Sequence, residues 1–351
     1  MSYDTTKPEN IKTLELIQST HPKEGPITLE RVGRRFAIKK DPKYWKDFEE
    51  VTATDSEGTK SYIHWIMGTF PYAAQDAVAM VWNDLMEVGA VPYIMQDQIL
   101  IQEENQEAIH SIMKGLRDLC FKYQWKIDEN RSNPVIISSG DTSINNLIKG
   151  FELGITATGK VKVGEKVFPN LKEGDVILGI KSSGLHSNGF TDVRKLLFDE
   201  LNLKHDYELS NGTNLLNELT KPTEIYLPAI NDLLEDSREY VDGLVNVTGG
   251  AYTKLKELTN GLFDIVIERG HALSPQPIFN FIYEKGKWSD EKMYKTLNNG
   301  IGYAVFVDRD GAQRAFTSLY KHHETDIIGH VKKGSGKVEI ESQFSKRKVI
   351  F

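Results

Sequence analysis

GDVILGIKSSGLHSNGFTDVRKLLF, residues 174–198, is the stretch of the chain that decides its fold. The apolar residues Val176 to Ile180 predict a buried strand, and the residues from Phe190 onward predict a helix. Small or hydrogen-bonding residues fill seven of the eight positions in the turn between them, 182–189. Because such a turn leaves backbone N–H groups free at the start of a helix, it predicts an anion site. An ordinary strand-to-helix loop with glycines for its geometry is the alternative.

Length and composition describe a globular chain. Its 351 residues predict about two domains. The formal net charge of −7 argues against a nucleic-acid surface. No apolar run approaches the ~20 residues that cross a membrane, and the first residues lack a secretory pattern. The single cysteine, Cys120, is expected to be a buried thiol in a reducing compartment, so we expect a cytoplasmic protein.

Alternating strand and helix patterns predict an α/β (α+β) protein of two units. The first unit is predicted to have helices at 74–88 and 106–123 and strands at 51–53, 93–101, 134–138 and 150–162. The second is predicted to have strands at 176–180, 243–247, 262–268, 300–307, 325–331 and 336–342, and helices at 190–201, 213–236, 251–259, 275–284 and 310–321. The polar segment 164–174 is interpreted as a linker, which gives an N-terminal domain, 1–165, and a C-terminal domain, 172–351.

Two segments of the first unit carry acids at positions that suit a metal-bridged polyphosphate. TDSEGTK, residues 54–60, is a predicted turn in which Asp55 suits Mg²⁺ and Lys60 suits phosphate. Solvated charges on a surface turn are the alternative. IISSGDTSIN, residues 136–145, predicts another small-residue turn, which presents Asp141.

The helix predicted at 74–88 carries a third acid. Asp76 and Asn83 are seven residues apart and therefore share one stripe of this mostly apolar helix. A buried carboxylate needs a partner, so Asp76 is expected to be paired, metal-bound or a helix cap. Together the three acidic segments predict a multi-carboxylate Mg²⁺–nucleotide site.

These motifs, taken in order, resemble those of the phosphoribosylformylglycinamidine cyclo-ligase (aminoimidazole ribonucleotide synthetase) family. The run EGDVILGIKSSGLHSNGFTDVRKL resembles its most discriminating signature, and TDSEGTK is similar to its TDGVGTK turn. QDAVAMVWNDLMEVGAVPYIMQD resembles its D-x-V-A-M-x-x-N-D-L run, while VNVTGGAYTKL and TLNNGIGYAVFV resemble two later segments. The resemblance spans about residues 51–307 and covers both predicted domains.

The resemblance implies roles for individual residues. The implied metal ligands are Asp55, Asp76 and Asp141. The implied nucleotide-binding residues are Asp55, Thr59, Lys60, Asn83, Thr142, Ser183, Gly184, Gly249, Gly250 and Asn298. The implied catalytic residues are Asp97, His186 and Asn188, with the last two expected to face the same cleft as Asp97.

The resemblance also implies a fold and an activity. The fold is a homodimer whose N-terminal domains share a β-barrel, with an α/β C-terminal domain on each chain. The activity is the ATP- and Mg²⁺-dependent cyclisation of formylglycinamidine ribonucleotide in purine biosynthesis, through an iminophosphate. Neither a nucleic acid nor a membrane is an expected partner.

Departures from the family pattern keep two alternatives open. Ser56-Glu57 stands where the family has glycine-valine, and Asp141 stands where it has glutamate. The chain could therefore be another ATP-dependent synthetase or kinase of the superfamily, or a catalytically silent nucleotide-binding homologue.

Two substitution outcomes follow from these assignments. Asp76→Asn and Asp141→Asn are expected to abolish metal-dependent ATP binding while the fold survives. His186→Ala is expected to lower turnover far more than stability, because a loop residue has little core to lose.

Overall fold

A computed structural model describes residues 7–33 and 35–351 of the chain. These residues form two compact units, of which one ends at Lys166 and the other begins at Val167. Within the described ranges, no helix is both long enough and apolar enough to span a bilayer.

The first unit contains five helices and eight strands among its described residues. The helices are α1 (Pro8–Ser19), α2 (Pro42–Trp45), α3 (Ser61–Met67), α4 (Phe70–Met86) and α5 (Gln106–Lys122). The strands are β1 (Ile27–Val32), β2 (Arg35–Lys40), β3 (Phe48–Ser56), β4 (Val91–Ile101), β5 (Trp125–Lys126), β6 (Ser132–Asn133), β7 (Ile136–Ile144) and β8 (Phe151–Lys162).

A four-stranded sheet in the order β3-β8-β4-β7 organises the first unit. β8 is antiparallel to both of its neighbours, and β4 and β7 are parallel. The apolar helix α4 packs on β3, β8 and β4, and α5 packs on α4. Inward side chains of β8 such as Leu153, Ile155 and Ala157 are fully buried, while Thr52 and Thr54 of the neighbouring β3 are exposed. One face of this sheet is therefore core, as the alternation of side chains requires.

The structure adds one pair of strands to the sequence prediction of this unit and corrects one segment. Ile27–Val32 and Arg35–Lys40 pair as antiparallel strands, β1 and β2. The GDTS segment belongs to strand β7 and is not a turn, because its residues pair in register with β4 from Gly140 to Ser143. The ladder with β4 therefore outweighs the turn preference of small polar residues. The expectation that Cys120 is buried is confirmed.

Lys160 lies in an aromatic enclosure at one end of the sheet. Its Nζ donates a hydrogen bond to the Lys126 carbonyl at 2.9 Å. Four rings lie over the amine at 4.3–5.9 Å from their centroids, those of Tyr44, Trp45, Phe48 and Trp125. Burial, with a smaller effect from Lys162, lowers the pKa of Lys160 to about 7. The enclosure ties α2 to the sheet.

The second unit contains six helices and seven strands. The helices are α6 (Phe190–Arg194), α7 (Leu215–Leu219), α8 (Leu227–Ser237), α9 (Pro277–Gly286), α10 (Asp290–Thr296) and α11 (Ala312–Tyr320). The strands are β9 (Val176–Lys181), β10 (Val241–Asn246), β11 (Phe263–Ile267), β12 (Ile301–Val307), β13 (Thr325–Lys333), β14 (Val338–Glu341) and β15 (Lys348–Ile350).

One seven-stranded sheet, in the order β10-β12-β9-β13-β11-β14-β15, forms the centre of the second unit. Its pairs are antiparallel except β11-β14, which is parallel. β12 is buried along its whole length, and α11 packs on β9, β13 and α8. The mixed α/β architecture in two domains is thus confirmed.

Three predicted helices of this unit differ in the structure. The helix expected at 213–236 is two short helices, α7 and α8, separated by a segment that contains Pro222. Proline restricts the residue before it and removes a backbone donor, so it interrupts the helix. The helix expected at 190–201 is α6 followed by a π-helical turn over Lys195–Glu200, and the one at 251–259 is a 3₁₀ segment, Ala251–Leu258.

Candidate functional site

The turn that follows β3 points its residues in two directions. Asp55 and Thr59 are exposed, whereas Glu57 and Lys60 are fully buried. Gly58 has a φ of +62°, a left-handed conformation that suits glycine and allows the chain to turn tightly into the 3₁₀ turn Gly58–Lys60. The end of β3 and the turn after it therefore present one carboxylate and one hydroxyl outward, and the turn is anchored by the buried side chains of Glu57 and Lys60.

Lys60 is anchored by a buried network that continues into α3 and α4. Its Nζ lies 2.9 Å from the Asp76 carboxylate, and both side chains are 0% exposed. The Oδ2 atom of the same carboxylate lies 2.7 Å from His64 Nε2, and His64 Nδ1 lies 2.7 Å from Thr69 Oγ1. The network thus joins the turn after β3 to the first turns of α4.

The negative charge of Asp76 is balanced by the basic side chains of Lys60 and His64. Burial opposes ionisation of Asp76, but Lys60 and His64 outweigh it and hold the pKa of Asp76 below its usual range. Burial lowers the pKa values of Lys60 and His64, and Asp76 partly offsets this in each case. The carboxylate of Asp76 is therefore held between a lysine and a histidine and does not cap α4, which begins at Phe70.

This geometry leads us to expect that Asp76→Asn destabilises the fold, contrary to the expectation from the sequence. Removing one partner of a fully buried ion pair leaves the other charge unpaired, which is strongly destabilising. Sequence reasoning missed His64 and Thr69. The available signal was the spacing of four between Lys60 and His64, which places them one helical turn apart.

The sheet register places the other candidate acids of the first unit, Asp55, Asp97 and Asp141, on separate strands. Asp55 pairs with Ile155, Ile155 pairs with Asp97, and Asp97 pairs with Gly140, so these residues form one row across β3, β8, β4 and β7. Asp141 is one residue further along β7. Three strand spacings between β3 and β7 amount to about 14 Å. Asp55 and Asp141 therefore occupy opposite edge strands, and the structure does not bring them together with Asp76 around one ion.

Asp97 is the buried acid of this row. Burial, assisted by the charge of Asp141, raises the pKa of Asp97 to about 7. Its Oδ1 has no hydrogen-bond partner among the described residues. Gly140 lies directly against this carboxylate, and a Cβ at that position would overlap it. A Cβ at position 140 would therefore displace the Asp97 carboxylate.

The two remaining candidate nucleotide-binding residues of the first unit, Asn83 and Thr142, differ in exposure. Asn83 is fully buried on α4, on the same stripe as Asp76. Thr142 is half-buried on β7. Neither is as exposed as Asp55 or Thr59.

In the second unit, Asn298 holds the turn that follows β9. Its Oδ1 accepts hydrogen bonds from Ser182 Oγ at 3.1 Å and from the Gly300 amide at 2.9 Å. Its Nδ2 donates to the Gly184 carbonyl at 2.9 Å. Asn298 is 0% exposed, and its hydrogen bonds fix the 182–189 turn to the residues that precede β12.

Asn188 connects the same turn to a second glycine turn. Its Oδ1 accepts from the Gly249 amide at 3.0 Å, and its buried Nδ2 has no hydrogen-bond partner within residues 7–33 and 35–351. Gly249 and Gly250 have φ values of +41° and +97°, which favour glycine. The structure thus brings together seven residues that the sequence singled out, Ser183, Gly184, His186, Asn188, Gly249, Gly250 and Asn298.

His186 lies inside this cluster and is 1% exposed. Its Nε2 accepts from the Ser183 amide at 3.3 Å, and its ring centroid lies 6.2 Å from that of Tyr226. Gly302 leaves room for both rings, because a Cβ there would overlap them. The expectation that His186 has little core to lose is therefore wrong, whereas its catalytic role stays a prediction.

An acidic cluster in the second unit was not foreseen. Among the described residues, Asp175, Asp242 and Asp308 are the one group of three carboxylates whose oxygens lie within 4.8 Å of one another. The Nζ of Lys172 lies 3.0 Å from Asp242 and 3.6 Å from Asp308. Burial raises the pKa of Asp175 to about 6. Because these residues are far apart in the sequence, no local pattern predicts the cluster.

Comparisons with known proteins identify the family. Residues 43–161 match the N-terminal domain of AIR synthase related protein, and residues 172–341 match its C-terminal domain. The chain belongs to the AIR synthase related protein family. Each matched domain contains one of the two groups of site residues, so the recognition made from the sequence motifs is confirmed.

Curated members of the AIR synthase related family are similar over most of their length. Phosphoribosylformylglycinamidine cyclo-ligase of Methanococcus maripaludis is 34% identical over 288 residues, which cover 81% of this chain and 78% of the relative. The cyclo-ligase of Thermococcus kodakarensis is 35% identical over 292 residues, with 81% and 80% covered. Among solved structures, HypE of E. coli has a TM-score of 0.68 at 15% identity and covers 97% of this chain and 96% of its own, which shows a shared fold.

Proposed function

We propose that the protein catalyses the ATP-dependent cyclisation of formylglycinamidine ribonucleotide to aminoimidazole ribonucleotide. The observation that carries this proposal is the assembly of the 182–189 turn, the 249–250 turn and Asn298 through buried side-chain hydrogen bonds. The cyclo-ligase signature of the sequence lies in that turn. The similarity to curated cyclo-ligases supports the same activity.

The proposed reaction has two steps. The formyl oxygen of the substrate attacks the γ-phosphorus of ATP, ADP leaves, and the formamide nitrogen loses its proton, which forms an iminophosphate. The ring-closing nitrogen of the same molecule then attacks the formyl carbon. The carbon–oxygen bond breaks, phosphate leaves with the former formyl oxygen, and the nitrogen loses a proton. Such chemistry asks the protein mainly to align groups and to balance charge.

The first unit is assigned to the nucleotide, with Mg²⁺ arriving as part of the Mg²⁺–ATP substrate. The exposed residues Asp55 and Thr59 are proposed to contact it, together with Asp141 and Thr142 on β7. Mg²⁺ on a phosphate chain needs few protein carboxylates, so the three aspartates need not converge. Lys60 and Asp76 are assigned the role of shaping the turn, because each is already held in the buried network.

The second unit is assigned to the transferred phosphate. The unused Nδ2 donor of Asn188 and the backbone N–H groups of the 182–189 turn suit an anion. Asn298 and His186 keep the turn in shape through their contacts with Gly184 and Ser183.

Asp97, which lies on β4 of the first unit, is proposed as the acceptor of the proton that the ring-closing nitrogen loses.

Mass spectrometry of products tests the proposal. Purified protein with formylglycinamidine ribonucleotide, ATP and Mg²⁺ should form aminoimidazole ribonucleotide with one ADP and one phosphate for each product. Asn188→Ala should lower turnover by roughly a hundredfold, whereas Asn211→Ala, in a surface loop, should not. A phosphorylated open-chain product would instead indicate a kinase, and the absence of any substrate-dependent ADP would indicate a silent homologue.

A further inference from the structure

Glu57 is a fully buried carboxylate in the middle of the turn that follows β3. Both of its oxygens lie 3.1 Å from the Leu153 amide nitrogen, which donates to them. Burying a carboxylate costs free energy unless hydrogen bonds compensate it, and an apolar side chain would fill the same space without that cost. The related cyclo-ligase motif, TDGVGTK, has valine at this position. The presence of glutamate at position 57 therefore needs a structural explanation.

The contact with Leu153 lies where the β3-β8 ladder stops. Ser56, the last residue of β3, pairs with Gly154, so Leu153 is the first residue of β8 beyond the ladder. A buried backbone N–H without a partner is destabilising. The side chain of Glu57 supplies the missing acceptor and so extends the ladder by one hydrogen bond after the strand has ended.

The middle of the turn between Glu57 and Lys60 faces open space. A Cβ at Gly58 would meet nothing within 4 Å, so Gly58 is not packed. Thr59 is exposed. The two ends of the turn are thus fixed by Glu57 on β8 and by Lys60 on Asp76, and the residues that point outward, Asp55 and Thr59, alternate with these anchors.

We propose that Glu57 is a positioning residue for nucleotide binding, which fixes the turn so that Asp55 and Thr59 present their side chains to the phosphates. The inference rests on the proposed nucleotide role of Asp55 and Thr59. Glu57 itself does not touch the nucleotide. A misplacement of about 1 Å in such a turn can cost up to about a hundredfold in rate or affinity.

Three variants separate positioning from general stability. Glu57→Val removes the acceptor and restores the residue of the related motif. Glu57→Gln keeps one carbonyl oxygen for the Leu153 amide and should restore most of the function. Glu152→Val is the matched control, because Glu152 is exposed on β8 beside the same amide.

The measurements are Mg²⁺–ATP binding by calorimetry, the KM for ATP, kcat, and hydrogen exchange at the Leu153 amide. Glu57→Val should weaken ATP binding and raise the KM for ATP by roughly tenfold to a hundredfold, with a smaller change in kcat. The Leu153 amide should exchange at least about tenfold faster. Glu57→Gln and Glu152→Val should stay within about threefold of the wild type in all of these.

Two results would overturn the inference, and they are distinguishable. If the wild type binds ATP and Glu57→Val binds it equally well, Glu57 has no positioning role, although the proposed function stands. If the wild type binds no ATP, the proposed function fails and the role of Glu57 fails with it. If Glu57→Val does not fold, Glu57→Gln and the hydrogen exchange of the Leu153 amide become the deciding measurements. Wild-type protection of that amide and wild-type ATP affinity in Glu57→Gln support the role. A lost ATP affinity with intact protection of the amide contradicts it.

Discussion

Replacing Asp76 with asparagine should destabilise the first unit severely. The Lys60 ammonium lies 2.9 Å from the Asp76 carboxylate, and both side chains are 0% exposed. His64 contacts the same carboxylate at 2.7 Å. Asparagine keeps the size of the side chain but removes its charge, which leaves a lysine without a counterion in a buried site. Breaking a buried pair in this way costs about 3–5 kcal/mol, a large share of the stability of an ordinary domain.

Urea unfolding followed by tryptophan fluorescence measures this loss. The matched control is Asp118→Asn, because Asp118 forms an exposed pair with Lys114 at 2.7 Å on α5. An exposed pair of this kind contributes about 0.5 kcal/mol or less. The two variants make the same chemical change, so the difference between their losses of unfolding free energy reports the effect of burial.

A double variant tests the cause of the loss. Lys60→Met combined with Asp76→Asn removes the stranded cation, and the double variant should be more stable than Asp76→Asn alone. A loss below about 1 kcal/mol for Asp76→Asn would refute the reasoning. A double variant less stable than Asp76→Asn would also refute it, since the penalty would then not come from an unpaired lysine.

Three further predictions concern other parts of the chain. Burial lowers the pKa of Lys160 to about 7, whereas an unfolded lysine titrates near 10.4, so the unfolded chain binds more protons between these values. The free energy of unfolding should therefore rise by up to about 1.4 kcal/mol per pH unit from pH 7 to 10, a slope that Lys160→Met should remove in pH-dependent urea titrations; equal slopes would contradict this. His186→Ala should lower the free energy of unfolding by about 1–3 kcal/mol, and a thermal melt unchanged from the wild type would count against its buried placement. Light scattering should find a dimer, because the sheet of the first unit exposes Thr52 and Thr54 on the face opposite α4; a monomer at working concentration would contradict the shared barrel.

Strong periodic patterns predicted most of the regular elements. The dense apolar pattern after residue 74 predicted α4, and the pattern of α5 was placed within a residue of its observed end at Lys122. These elements follow from local sequence because their buried faces repeat at the helical period. The strand over Asp141 was missed, because Ser, Gly and Asp favour turns locally and the deciding partner, β4, is distant in the sequence.

The candidate site was predictable in the second unit and only partly in the first. The resemblance named Asn188, Gly249 and Asn298. In the structure Asn188 bonds to Gly249, and Asn298 bonds to Ser182 of the same turn as Asn188, each across more than sixty residues of sequence. No spacing rule could show that Lys60 and Asp76 pair with each other, because the pairing depends on how the turn after β3 meets α4. Charged residues in a sequence therefore identify a site region more readily than they identify which charges face a ligand.

The fate of the formyl oxygen tests the proposed reaction most directly. Formylglycinamidine ribonucleotide that carries an isotopic oxygen label in its formyl group is incubated with the protein, ATP and Mg²⁺, and the inorganic phosphate is analysed by mass spectrometry. Cyclisation through an iminophosphate predicts one labelled oxygen in each phosphate released, with formation of aminoimidazole ribonucleotide. Phosphate without the label, or ATP consumption that does not depend on the substrate, would contradict the proposed function.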